Sequence, residues 1–291
     1  MAEPQAREAL GAFDRDTAVR LLEAPSPDGD SASPARLFAA EVSPDWRAGR
    51  GPHGGYLAAM IMRALAETVD DPQRAPRSLT IHYARAPEPG PVSIRTVVER
   101  KGRSLSTLSA RMERDGSLIA LALAAFSVPW SGPEISELPP PEVAAADPVR
   151  RSQLPDGAPH FTRQLVLQPR VPTEPFAGSQ GPMEFTAWLG LADPRPIDAL
   201  SLAFYADALV PAVFMRLIEP SVVPTVDLTV HFRTAMPLSA HPDPDELCLA
   251  RMRTRVIHDG LFEEDGVIWA ADGTVLAQSR QLGIVLPRTT G

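Results

Sequence analysis

The sequence predicts an α+β chain that contains two similar units, each a helix followed by a four-stranded antiparallel meander. Two observations indicate this fold class. Strand-like runs follow each predicted helix one after another, without helices between them, which excludes an alternating α/β arrangement. Short motifs also recur at a nearly constant spacing, since LTIHY at 79–83 matches LTVHF at 228–232 with an offset of 149 residues.

The first unit is expected to contain one long amphipathic helix. A helical or capped segment around Asp14–Glu23 and an apolar run at Leu37–Val42 precede it. The helix itself is predicted at Tyr56–Val69, where apolar residues fall at spacings of three and four. Four strands follow, separated by turns that include Lys101-Gly102 and Asp115-Gly116; they are predicted at Leu79–Ala84, Val92–Arg100, Ser104–Glu113 and Ser117–Val128.

The second unit repeats this order. Strands at Gln164–Gln168 and Glu184–Leu191 precede a helical stretch at Asp198–Leu217. Four further strands, with turns at Asp259-Gly260 and Asp272-Gly273, are predicted at Val226–Phe232, Glu246–His258, Leu261–Ala271 and Thr274–Leu286. The offset grows to 157 between Asp115-Gly116 and Asp272-Gly273 (272 minus 115), which indicates a longer loop near Ala240–Asp245.

A helix wrapped by an antiparallel sheet, present twice, is the double hotdog arrangement. The units are divided by a segment rich in Pro, Ala and acidic residues, which predicts an extended linker on the surface. We therefore assign residues 1–130 to an N-terminal hotdog with an N-terminal extension, 131–160 to the linker and 161–291 to a C-terminal hotdog.

Composition excludes several classes of function. The formal net charge is -8 without a basic run, so binding to nucleic acid or to an anionic membrane is not expected. No apolar stretch is long enough to span a bilayer, and the N-terminus does not have the pattern of a signal peptide. The single cysteine, Cys248, allows no internal disulfide, which fits a cytoplasmic location.

Familiar catalytic motifs are missing from the sequence. Residues 49–54 satisfy G-x-G-x-x-G literally, but the antiparallel meander that follows does not fit a dinucleotide-binding unit. There is no G-x-S-x-G for a serine nucleophile and no H-E-x-x-H or paired C-x-x-C for zinc, so we predict neither a metal nor a cofactor. Glycines at a helix start still expose backbone N–H groups that suit an anion or an oxyanion.

Asp207 interrupts an apolar helical stretch and is the first candidate catalytic residue. Pro211 clashes with the carbonyl four residues earlier, so we expect a helix break that leaves Asp207 at the N-cap of a continuing helix. Matching Met215-Arg216 to Met62-Arg63 aligns Asp207 with Gly54. One unit thus has a carboxylate where the other has bare backbone, which predicts a single composite site.

The sequence resembles the type II acyl-CoA thioesterases, the double-hotdog family of the TesB type. The matching segments are GRGPHGGYLAAMIMRAL, FYADALVPAVF, PTVDLTVHFR and VLAQSRQLGIV, within residues 35–288. In that family an Asp, a Thr or Ser and a Gln hold the hydrolytic water, and these positions fall on Asp207, Thr225 and Gln281. The residue after the Asp, Ala208, departs from the polar residue that many members carry, which leaves substrate preference open.

The resemblance implies hydrolysis of a fatty acyl-CoA by direct water attack. Gly54 and Gly55 are then candidates for oxyanion donors, with His53 and Tyr56 as neighbouring substrate-binding residues. CoA is part of the substrate, and at least a homodimer is expected. Two alternatives remain: a hotdog dehydratase or hydratase acting on acyl thioesters, for which His53 is the candidate residue, and a non-catalytic acyl-CoA-binding protein.

Overall fold

A computed structural model describes residues 10–23, 35–149, 158–170, 174–219, 221–236, 243 and 245–286. The described elements of the first half include two helices, with the strands β1 to β8 around them. The helices are α1 (Ala12–Asp16) and α2 (Gly54–Val69). The strands are β1 (Val19–Glu23), β2 (Ala35–Val42), β3 (Arg47–Ala48), β4 (Gly51–Pro52), β5 (Ala75–Tyr83), β6 (Gly90–Lys101), β7 (Leu105–Arg114) and β8 (Ser117–Ser127).

The second half has the same order of elements with a much shorter helix, α3 (Ala199–Tyr205). A 3-10 turn at Ala212–Met215 follows it. The strands are β9 (Leu165–Pro169), β10 (Met183–Leu191), β11 (Thr225–Phe232), β12 (Cys248–Thr254), β13 (Ile257–His258), β14 (Leu261–Trp269) and β15 (Val275–Ile284).

Both halves contribute to one continuous antiparallel sheet with the order β1-β2-β6-β7-β8-β5-β11-β15-β14-β12-β10-β9. Read inward from the two ends, the halves have matching orders, and they meet where β5 pairs with β11. We call this β5–β11 pairing the seam. Thr80 lies directly opposite Thr229 in the seam, and their hydroxyls hydrogen-bond at 3.1 Å. The repeated motifs at 79–83 and 228–232 therefore pair with each other.

The hydrophobic core is shared between the two halves. Met60 and Leu65 from α2 belong to one buried cluster together with Phe185, Leu202 and Ile268 of the second half. α2 also packs against α3, and strands β5 to β8 surround it on its other sides. The predicted α+β double hotdog is confirmed, with the addition that the two sheets are one.

Two sequence-based element predictions were wrong. The segment Asp14–Glu23 is not a helix, because α1 ends at Asp16 and the chain continues as strand β1, which pairs with β2. The predicted helix over 198–217 stops at Tyr205. A break before Pro211 is present, as expected, but it begins at Ala206, and a 3-10 turn rather than an α-helix follows Pro211.

The linker runs over the outer face of the second half without helix or strand from 128 to 149. The indole N–H of Trp269 donates to the Leu138 carbonyl at 2.9 Å, and that of Trp188 donates to the Ala144 carbonyl, also at 2.9 Å. Val143 and Ala146 pack on the same small apolar cluster as the two tryptophans. Residues 150–157 of the predicted linker, and most of the longer loop predicted at 240–245, lie outside the described part of the chain.

Candidate active site

The start of α2 meets the segment that follows α3. α2 begins at Gly54, with His53 as its N-cap, and the backbone N–H of Gly55 donates to Oδ2 of Asp207 at 2.8 Å. Asp207 therefore caps a helix, but it is the helix of the other half. The expectation that it caps its own continuing helix was wrong, because the chain after α3 turns instead, with the Asp207 amide donating to the Phe204 carbonyl.

Glycine is required at both helix-start positions by close packing. A Cβ on Gly54 would lie 2.8 Å from Asp207 Oδ2. A Cβ on Gly55 would lie 2.5 Å from the Phe204 carbonyl oxygen and 3.1 Å from Asp207 Cβ. The distances of 2.8 and 2.5 Å are shorter than any normal contact of a Cβ atom. The carboxylate can therefore approach the start of α2 only because both residues lack a side chain.

Some surroundings of Asp207 favour its protonated form and others favour its ionised form. Burial raises the pKa of this carboxyl, while nearby His53 and the Gly55 N–H act in the opposite direction. The helix start also favours the negative charge. Asp207 is thus a largely buried carboxylate, its side chain 11% exposed, with a raised pKa, which is the property expected of a general base in a protein interior.

His53 is buried beside Asp207. Its Nε2 lies 2.9 Å from the Asp207 backbone carbonyl and 3.6 Å from Oδ2. Burial lowers the pKa of the ring, so the neutral imidazole is favoured. The ring also packs on Phe161 and Phe204, and Nδ1 has no hydrogen-bond partner among the described residues.

Tyr83, a residue that the sequence analysis did not single out, also borders the helix start. Its hydroxyl donates to the Gly54 carbonyl at 2.9 Å. Burial raises its pKa well above the ordinary value, and the charge of Asp207 adds to the effect. The neutral phenol therefore helps to fix the position of the Gly54 peptide.

A second polar group joins Thr225 to Gln281. The Thr225 hydroxyl donates to Gln281 Oε1 at 2.9 Å, so the two residues that the resemblance identified are in direct contact. Gln281 Nε2 in turn donates to Glu264 Oε1 at 2.7 Å. Glu264 was missed by the sequence analysis, although it alternates in phase with buried Phe262 and Ile268 along β14.

The hydrogen-bonded group around Asp207 and the group formed by Thr225, Gln281 and Glu264 lie near each other, but no described hydrogen bond between side chains joins them. The charge of Asp207 contributes to raising the pKa of Glu264, which places the two carboxyls in the same electrostatic environment. Ser279, two residues before Gln281 on β15, has its hydroxyl 3.5 Å from the carbonyl of Ala206. Strand β15 thus packs against the turn that carries Asp207.

Tyr56 lies apart from both groups. Its ring stacks on Trp46 with centroids 5.1 Å apart, and its hydroxyl donates to the Asp16 carbonyl and accepts from the Ser43 N–H. These contacts fasten α1 and the 43–46 segment to α2. They give Tyr56 a structural role, while its predicted contact with substrate stays a prediction.

The structure contains no described helix long and apolar enough to cross a membrane. Within the same residues, no group of three or more His, Cys, Asp or Glu side chains could hold a metal ion. The described side chains of the site are two carboxyls, an amide, a hydroxyl, a phenol and an imidazole, and backbone N–H groups lie beside them.

Comparison with known proteins identifies the class as a two-domain hotdog thioesterase. Residues 42–127 match the family description "Acyl-CoA thioesterase N-terminal domain", and residues 137–285 match "Acyl-CoA thioesterase C-terminal domain". The chain belongs to this acyl-CoA thioesterase family. The resemblance drawn from the sequence is confirmed at this level.

Solved structures share the whole fold. A hot dog fold protein of unknown function from Alicyclobacillus acidocaldarius is 26% identical, with a TM-score of 0.78 over 96% of this chain and 100% of that one. A putative thioesterase II from Thermobifida fusca is 25% identical, with a TM-score of 0.73 over 96% and 99%. The fold also matches acyl-CoA thioesterase II TesB2 from Mycobacterium marinum, 18% identical, with a TM-score of 0.70 over 97% and 99%.

An uncharacterized protein of Mycobacterium tuberculosis is similar in sequence. It is 25% identical over 287 residues, which span 89% of this chain and 94% of that protein.

Proposed function

We propose that the protein hydrolyses a fatty acyl-CoA to the free acid and CoA by direct attack of water. The observation that carries this proposal is the largely buried Asp207 carboxylate held at the start of α2. The hydrogen-bonded Thr225–Gln281 pair supports it, because both residues match the family positions that hold the hydrolytic water.

In the proposed step, Asp207 accepts a proton from water while the water oxygen bonds to the thioester carbonyl carbon. The negative charge that develops on the carbonyl oxygen is directed to the N–H groups at the start of α2. Gly55 N–H already serves Asp207, so Gly54 is the better candidate for this role. When the carbon–sulfur bond breaks, the proton on Asp207 passes to the CoA thiolate, which balances the reaction without a metal or redox cofactor.

Replacing Asp207 by Asn tests the base directly. An amide oxygen can still accept from the Gly55 N–H, but it cannot take up the proton, so we expect turnover to fall by roughly a hundredfold to ten-thousandfold. Thiol release from a panel of acyl-CoA chain lengths measures this, with circular dichroism as the check on folding. Asp70→Asn, at the exposed opposite end of α2, is the matched control and is expected to behave as wild type.

Turnover of Asp207→Asn within about threefold of wild type would contradict the scheme, since a general base contributes far more than that.

One observation favours a second candidate, a hydratase or dehydratase acting on acyl thioesters. His53 and Asp207 lie 3.6 Å apart, which is a histidine–acid pair of the kind such chemistry uses. The acid is not on the central helix, as that chemistry would place it, but on the turn after α3. An assay of enoyl-thioester hydration beside the thiol-release assay separates the two reactions.

A further inference from the structure

Glu264 is a buried carboxyl that the proposed reaction does not use. Its side chain lies on β14 with only 2% of the residue exposed. Oε1 accepts from Gln281 Nε2 at 2.7 Å and Oε2 accepts from the Ala212 backbone N–H at 2.5 Å. No described Lys, Arg or His forms an ion pair with it. A buried carboxylate without a cation destabilises a fold, so packing alone does not account for this residue.

The contacts of Glu264 set the direction of the neighbouring hydrogen bonds. An ionised carboxylate can only accept, so Gln281 must turn its NH2 group toward Glu264. The amide oxygen of Gln281 then faces Thr225, whose hydroxyl donates to it. Because the Thr225 proton is committed to this bond, the lone pairs of the Thr225 oxygen remain free to accept.

We propose that Glu264 is a positioning residue that fixes this direction, so that Thr225 accepts a hydrogen bond from the hydrolytic water. This inference rests on the proposed function. A water that donates one proton to Thr225 and the other to Asp207 keeps an oxygen lone pair for the carbonyl carbon. If the direction were reversed, the Thr225 proton would point at the water oxygen and reduce its nucleophilicity.

The second contact of Glu264 fastens the segment that carries the base. Ala212 begins the 3-10 turn, five residues after Asp207. Its N–H has no carbonyl of the preceding turn as partner and donates to Glu264 instead. One carboxylate therefore connects the water-holding pair on β11 and β15 with the chain that follows Asp207.

Protonation of Glu264 gives this role a measurable signature. Burial, together with the smaller effect of the charges of Asp207 and Glu263, raises its pKa to about 7 although the Ala212 and Gln281 contacts act in the opposite direction. The groups that face it across β15 and the 3-10 turn, Gln281 and Ala212, are neutral. Below this pKa the carboxyl carries a proton and can donate, so the direction is no longer fixed. We expect kcat to fall as the pH decreases through about 7.

Glu264→Gln is the variant that tests the inference. Gln281 and Ala212 donate to different oxygens of Glu264, and glutamine has an NH2 group in place of one of these oxygens, so one of the two donors loses its acceptor. We expect kcat to fall by about tenfold to a hundredfold with a much smaller change in KM, and the limb near pH 7 to disappear. Glu263→Gln is the matched control, since the Glu263 carboxylate accepts from the backbone N–H of Arg255 rather than from Gln281 or Ala212.

A folded Glu264→Gln protein with the wild-type kcat would overturn the inference. A fall in kcat that leaves the limb near pH 7 unchanged in midpoint and size would do so as well, because the limb would then belong to another group, such as Asp207, and not to Glu264. If the variant does not fold, NMR of the wild-type Gln281 side-chain amide decides, with assignment by its loss in Gln281→Met. Titration of that amide with a midpoint of about 7 supports the inference, and no titration refutes it.

The same NMR measurement separates this inference from the proposed function. Absence of thiol release by the wild-type protein across the acyl-CoA panel would contradict the proposed hydrolysis. The link between Glu264 and the Gln281 amide would then still be decided by whether the amide signal titrates.

Discussion

At the scale of single residues, the site depends on two positions that have no side chain. Because Gly54 and Gly55 have no Cβ atoms, the Asp207 carboxylate of the second half can approach the start of α2 in the first half. A Cβ at Gly54 would displace the Asp207 carboxylate, and a Cβ at Gly55 would displace the backbone that leads into the turn after α3. The predicted base and the predicted oxyanion donors are therefore mutually dependent.

Gly55→Ala is expected to destabilise the protein by about 1–3 kcal/mol, because its methyl group meets the Phe204 carbonyl at 2.5 Å. It should also lower turnover, since Asp207 must move. Urea unfolding and thiol release measure the two effects. Gly132→Ala, where a Cβ would meet nothing, is the control. A Gly55→Ala protein as stable and as active as wild type would show that the turn adapts freely.

The residues of the site could be predicted from sequence only in part. Asp207 was indicated by the interrupted apolar stretch before Pro211, Thr225 and Gln281 came from a family resemblance, and the structure brings Thr225 and Gln281 into contact. Glu264 was missed because an acidic residue in an alternating strand is normally assigned to solvent, although its phase along β14 indicated burial. Tyr83 gave no signal, because its contact with Gly54 depends on tertiary packing.

At the scale of elements, the side chain of Asp198 caps the start of the short helix α3. Asp198 accepts from the Ser201 N–H while the Ser201 hydroxyl accepts from the Asp198 N–H, which is a capping box. The same carboxylate pairs with Arg195 at 2.8 Å. Because α3 has seven residues, this cap orders a large part of the helix that leads into Asp207.

Asp198→Ala is expected to lower the free energy of unfolding by about 1–2 kcal/mol through loss of the cap. Asp198→Asn retains a capping oxygen and loses only the ion pair, so it should cost less. Chemical denaturation of both variants measures the difference. Equal losses for Asn and Ala would show that the ion pair, and not the cap, supports α3.

The ends of the helices and strands could be predicted only in part from local sequence patterns. The rule that proline ends a helix correctly predicted a break near Pro211. The direction of capping was wrong, because a local pattern cannot reveal that the nearest open helix start belongs to the other half. Likewise the segment 14–23 has mixed polarity, and its second part, Val19–Glu23, forms a strand because it pairs with the edge of β2.

At the scale of the whole molecule, the linker acts as part of the second half rather than as a free connection. Its backbone carbonyls accept from two indole N–H groups, and Gln168, fully buried, accepts from the Asp147 N–H. The proline-rich composition predicted an extended path on the surface. The linker covers an apolar cluster on β10, β12 and β14. The sequence pattern of the linker could not show this, because the contacts are made with Trp188 and Trp269, which are distant in sequence.

Trp269→Phe is expected to destabilise the protein by about 1–3 kcal/mol, because the Leu138 carbonyl loses its donor and the cluster loses ring volume. A glutamate-specific protease should then cleave faster at Glu134, Glu137 or Glu142. Trp130→Phe, at a residue that is 68% exposed, is the control. An unchanged cleavage rate in Trp269→Phe would show that the linker is held elsewhere.

The repeat itself could be predicted from the sequence, whereas the joining of the two sheets could not. Recurring motifs show which segments are alike, but they do not show which edges meet. The assembly of whole chains, expected to be at least a homodimer, stays a prediction.

The Thr80–Thr229 contact at the seam has a consequence for how the protein could change over time. Residues that face their own counterpart across such a seam would, in a pair of identical separate chains, always mutate together. A single continuous chain removes that coupling, so one copy of a position can become acidic while the other stays small. Asp207 and Gly54 are equivalent positions that contact each other, although neither lies on β5 or β11. A tandem of two first halves would have no base, whereas a tandem of two second halves would place two carboxylates at this contact.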